Sequence, residues 1–127
     1  MATVSNQQVA SFEAGEAVAT KYLLARVDTS GPNEVAIADA VTEVPVGVFL
    51  TTADAAGDAV PVVISGIAKV LCGDTVAKGD KLTAESGGRA VPSTTDEDNV
   101  WGTALEAGDD GDIIPMLVTP GAVNASA

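Results

Sequence analysis

Histidine is absent from the 127 residues of this chain, which excludes His-dependent triads, imidazole acid–base catalysis and histidine metal ligation. Cysteine occurs once, as Cys72. One thiol allows no intramolecular disulfide and no multi-cysteine zinc or iron–sulfur site, and its place on an inward strand face reads as a buried structural thiol. Aromatic residues make up only 3% of the chain, whereas hydrophobic residues make up 46%. The core must therefore be built from Val, Ala, Ile and Leu, each of which buries little area, and oligomerisation would add to it. Basic residues are scarce as well: 6 Lys and Arg stand against 18 Asp and Glu, a formal charge of −12. A field of that sign repels phosphate backbones and anionic headgroups, which makes nucleic acid and membrane surfaces poor partners. No apolar run approaches the ~20 residues that cross a bilayer, and the polar start does not read as a signal peptide. The length fits one domain with a modest core.

What is present is β-forming sequence punctuated by glycine and aspartate, centred on 60–92. Val60, Val62 and Ile64 alternate, as do Ala68, Val70 and Cys72, and Gly66 breaks the run, which predicts two short strands joined by a turn. Gly73-Asp74 and Gly79-Asp80 then bracket Val76 on an inward face. Glycine supplies positive φ and the aspartate caps freed amides, so each pair predicts a tight corner. Lys81 to Glu85 alternates, and Ser86-Gly87-Gly88 predicts a hairpin back into Arg89 to Pro92.

Around this unit, residues 1–13 read as an extended, polar N-terminal arm anchored by Val4, Val9 and Phe12. Ala17 to Val27 fits either a helical or a strand face; the turn cluster Asp28 to Asn33 and the returning run Glu34 to Ala38 favour a strand. Val44, Val46, Val48 and Leu50 alternate, with Pro45 marking a strand that begins at an edge. Val100 to Leu105 is a short strand, and Asp109-Asp110-Gly111-Asp112 turns the chain into Ile113 to Val118. That last strand is apolar on both faces, Ile114, Met116 and Val118 on one and Ile113 and Leu117 on the other, which predicts cover on both sides. Residues 122–127 read as a flexible tail, which leaves 14–121 as a single β-rich domain. Ala14-Gly15-Glu16, Ala56-Gly57-Asp58 and Ala107-Gly108-Asp109 repeat one turn device at irregular spacing, which reads as shared turn chemistry and not a solenoid. The fold class is all-β, a small compact barrel or sandwich of short strands with Gly-Asp turns.

Candidate chemistry is sparse. Asp109, Asp110 and Asp112 offer hard oxygens for a cation, but a solvated turn explains them and no bidentate glutamate of an EF-hand loop follows. Asp96 to Asp98 is a charge run. Paired carboxylates for glycoside hydrolysis lack an aromatic platform. Trp101, between Val100 and Gly102, suits core packing first and a subunit interface second. No catalytic, cofactor or metal-binding residue is expected.

Two resemblances bear on function. Val70 to Glu85, with its GDTVAKGDKL core, resembles the barrel-sandwich hybrid of lipoyl and biotinyl carrier domains; it implies a small carrier or ligand-binding module, here with Glu85 to Arg89 at the hairpin tip and no lysine to modify. Over 14–121, the order Ala14 to Val18, Val46-Gly47-Val48, Ala55 to Val60, Ser65 to Val70, Lys78 to Leu82, Gly102 to Ala107 and a closing Ile113 to Val118 resembles the capsid cement, or head decoration, proteins of tailed bacteriophages. That resemblance implies a non-enzymatic virion protein made in the bacterial cytoplasm. It implies binding to the outer surface of the expanded capsid, bracing of the major capsid protein subunits, and trimeric assembly. Val4, Val9, Phe12, Leu71, Trp101, Ile113 and Leu117 are then the residues expected at capsid or subunit interfaces.

Overall fold

The structure, a computed structural model, describes the chain apart from residues 1–4, 30, 40–42, 86, 95–97 and 124–127. It is all-β, with no helix among the described residues. The strands are β1 (Ser5–Ala14), β2 (Leu24–Val27), β3 (Glu34–Ile37), β4 (Pro45–Phe49), β5 (Ala59–Leu71), β6 (Lys81–Ala84), β7 (Ala90–Pro92), β8 (Asn99–Ala104) and β9 (Ile113–Val123). They form one sheet in the order β1-β3-β2-β4-β5-β9-β8-β6-β7, and a further β1–β5 pairing closes the first five strands into a barrel.

Several strands depart from the sequence reading. The stretch expected as a free arm is extended from Ser5 on, but it belongs to the sheet: Val9 to Glu13 pair with Val63 to Ala59 of β5 in the same chain. Phe12 and Ala14 alternate toward the first apolar cluster there, Ala14 buried and Phe12 half-buried, and the pairing satisfies the strand's backbone. β1 thus crosses the boundary drawn at residue 13, and β9 likewise runs past residue 121 to Val123. Val4 lies outside the described residues. Gly66 does not end a strand, because β5 runs unbroken from Ala59 to Leu71 with Gly66 at φ +96°. The same alternating row continues past it, with Val60 and Val62 in the first apolar cluster and Ala68 and Val70 in the second. Between Ala17 and Val27 only Leu24–Val27 is strand, since Val18 makes an isolated bridge to Ala53 and Tyr22 turns the chain at φ +69°.

The strand registers show that the fold is built twice. Phe12 pairs with Val60 as Val70 pairs with Ile114. Ala25 pairs with Gly47 as Leu82 pairs with Gly102, and Phe49 pairs with Val62 as Ala104 pairs with Met116. Ala14 meets Val35 in parallel, and Cys72 meets Ala90 in parallel. The loops repeat too. Val18 and Ala53 exchange backbone hydrogen bonds at 2.8 and 2.9 Å, and Val76 and Gly108 do so at 2.7 and 3.0 Å. β5 therefore serves both halves, closing the first five-strand unit and opening the second. Of the three turn devices, Gly57 is equivalent to Gly111 and Gly15 to Gly73, while Gly108 answers to Ala53. The irregular spacing in the sequence had mixed non-equivalent turns.

Two apolar clusters fill these units. The first holds Ala14, Val18, Leu23, Ala25, Val35 and Phe49 with Val60 and Val62 of β5. The second holds Cys72, Val76, Leu82, Trp101, Ala104, Ile114 and Met116, and it also takes in Leu24, Val48 and Val63 from the outer face of the first unit. In this way the first unit seals one side of the second.

Candidate interaction surface

The residues expected at an interface separate into three groups. Trp101 is wholly buried, and its Nε1 donates to the Ala25 carbonyl oxygen at 2.7 Å. It is a core residue that ties the two halves together, which corrects its placement among surface candidates: an indole buried with its N–H satisfied has nothing left to offer a partner. Phe12 is half-buried against the first cluster, and Val9 is exposed on the outer side of β1.

Leu71, Ile113 and Leu117 are brought together. Leu71 pairs with Ile113 and Ile67 with Leu117, with Lys69 opposite Pro115 between them, so this face of β5 and β9 carries two apolar pairs on either side of a lysine. Ile113 is 47% exposed and Leu117 41%, while the alternate residues Ile114, Met116 and Val118 are buried. The two-faced pattern of β9 thus has its inner face in the core, while on its outer face Ile113 and Leu117 are exposed and Pro115 between them is buried. Sequence reasoning missed Val44 and Val27, which are 59% and 40% exposed. They adjoin, the Val27 N–H donating to the Val44 carbonyl oxygen at 3.0 Å. A register shift between β2 and β4 at Ala25/Arg26 breaks the alternation that had placed Val44 with Val46 and Val48.

A cleft of about 120 Å³ opens at the junction of the halves, between Tyr22, Leu50, Val63, Ala68 and Lys69. The Lys69 Nζ lies 5.9 Å from the Tyr22 ring centroid, a geometry that suits cation–π attraction. Its only polar side chains among the lining residues are those of Tyr22 and Lys69.

The acidic turn is occupied by its own structure. Asp112 Oδ2 accepts from the Asp109 N–H at 2.9 Å, and Asp110 pairs with Arg89 at 3.1 Å. Among the described residues no group of three His, Cys, Asp or Glu is placed to hold a metal ion. Cys72 lies beneath this turn. Burial first, then the charges of Asp112, Asp109 and Asp110, push its thiol up from 9.0 to about 11, so it is neutral and unreactive at neutral pH. The β6–β7 hairpin that would carry a modified lysine in a carrier domain is docked instead of projecting. Its Gly88 carbonyl oxygen accepts from the Leu24 N–H at 2.8 Å, and its Gly87 N–H donates to Asp39 Oδ1 at 3.3 Å.

No family model matches the chain, and no curated protein matches it. A solved structure does. The chain is similar to the base of a bacteriophage head fibre. The match is to the N base of head fiber gp8.5 in bacteriophage phi29, with a TM-score of 0.69 and 25% identity, over 89% of this chain and 94% of that one. The likeness to the gp8.5 base spans both halves of the present fold. It supports a structural protein of a bacteriophage virion.

Proposed function

We propose that this chain is a head decoration protein: it binds the outer surface of the expanded capsid and braces contacts between major capsid protein subunits, as an oligomer with a trimer favoured. The observation that carries the reading is the near full-length likeness to a protein of the phage head. Its chemistry agrees. Bracing needs a rigid scaffold and apolar contact area, and it needs no reactive group. The sheet supplies the first, and the exposed faces around Leu117 and Val44 supply the second. The charge of −12 keeps the protein soluble before assembly and directs it away from packaged DNA. The stretch read as an extended arm is paired within its own barrel from Ser5 on, so attachment falls to side-chain faces.

Stabilisation is tested by heating. Expanded capsids saturated with this protein should lose integrity at a higher temperature than undecorated capsids, followed by light scattering or dye access to DNA. Superimposable transitions at saturating protein would reject the bracing role.

A further inference from the structure

The internal duplication sets a covered junction inside the molecule beside its uncovered equivalents at the two ends. Within the chain, the outer face of β2, β4 and β5, at Leu24, Val48 and Val63, is fully covered. It is covered by the inward residues of the second unit, Val70, Ala84, Trp101 and Val118, which are buried in the same cluster. Backbone and side-chain hydrogen bonds fasten this junction. Trp101 Nε1 donates to the Ala25 carbonyl oxygen, and Asn99 Nδ2 donates to the Glu43 carbonyl oxygen at 2.8 Å.

The strand registers then give the counterpart of every residue at the junction. The equivalents of Val70, Ala84, Trp101 and Val118 in the first unit are Phe12, Val27, Val46 and Ile64, and none of them is fully covered. Phe12, Val46 and Ile64 are half-buried, while Val27 and the adjoining Val44 are exposed. The equivalents of Leu24, Val48 and Val63 in the second unit are Lys81, Thr103 and Leu117. Lys81 and Leu117 are exposed and Thr103 is half-buried. Each end of the molecule thus presents one half of a junction whose complete form lies in its middle.

We propose that a second copy of this chain completes both ends. The β6–β8–β9 outer face around Leu117 of one copy seats on the open side of the first barrel, around Phe12, Val27 and Val44, of the next. The contact is heterologous, with two different patches meeting, so it closes into a ring or propagates as a filament and cannot stop at a two-fold dimer. Because each copy carries −12, their mutual repulsion is screened by salt, and association through these faces strengthens as ionic strength rises. This shares with the proposed function only the expectation of self-association. Capsid binding by a protein that does not assemble through these faces would leave that function standing and remove this inference.

Complementary variants test it. Val44→Asp spoils the open side and Leu117→Asp spoils the outer face, both at exposed positions. Sedimentation equilibrium of the whole chain should show the unmodified protein associating, more strongly in high salt, and each variant weakened by more than about tenfold. An equimolar mixture of the two variants should recover one intact junction per pair and give a species of twice the chain mass and nothing larger. Val27→Ser and Ile113→Ser replace them if far-UV circular dichroism shows either aspartate variant to be unfolded. The inference is overturned if the unmodified protein stays monomeric in high salt, if either variant associates as the unmodified protein does, or if folded variants remain monomers when mixed.

Discussion

Trp101 and Phe49 occupy non-equivalent positions of two equivalent barrels, and the exchange is compensated. In the first unit Val46 and Phe49 fill the space that Trp101 and Ala104 fill in the second, so a large and a small residue trade places along one strand while the packed volume is kept. Tyr22 and Gly79 form another unequal pair, both at positive φ, +69° and +93°. Glycine takes that conformation freely. Tyrosine does so at a cost of order 1–3 kcal/mol, and it places a ring beside Lys69 at the junction cleft. Cys72 is where residue chemistry becomes measurable. Its thiol holds its proton more tightly in the native state than in the unfolded chain, the folded value of about 11 lying above the ordinary 9.0. Below pH 9 both states are protonated and the full stability is present. Between pH 9 and 11 the unfolded chain ionises first and stability is lost, by roughly 2–3 kcal/mol over the window. Urea unfolding followed by circular dichroism should show that decline in the unmodified protein and a shallower one in Cys72→Ala. Identical pH profiles for the two would contradict the assignment.

At the scale of elements, β5 does the organising. It pairs with β1 and β4 through its first half and with β9 through its second, and Gly66 at φ +96° is where the inward row changes barrels. A β-branched residue there has no access to that conformation. Gly66→Val should therefore destabilise by roughly 2 kcal/mol or more, with loss of both units in one transition because they share the strand. A Gly66→Val protein as stable as the unmodified one, measured by urea midpoint, would show that the bend is not required. The elements that were legible in the sequence are those whose own residues decide them. The β6–β7 hairpin follows from its Gly-Gly turn, and the two faces of β9 follow from strict alternation. What escaped depends on distant partners. The acceptor for Trp101 lies 76 residues away, and the polar start of β1 gives no sign that β5 will pair with it. The duplication escaped because its two copies share registers and turn positions more than residue types.

Taken whole, the molecule is a closed five-strand barrel and a second unit of the same plan that share β5, short of aromatic residues and strongly acidic, with exposed apolar residues at both ends. Its likeness to the phi29 head fibre base supports a structural protein of a phage virion. Function was less legible than fold, since no side-chain constellation announces it and only the order of motifs along 14–121 pointed to a phage virion protein. Cosedimentation of the purified protein with expanded, undecorated capsids of its own phage tests the account most directly. Saturable binding at a fixed ratio to the major capsid protein, with none to unexpanded shells, is the result expected. Free protein remaining in the supernatant at every concentration would contradict it.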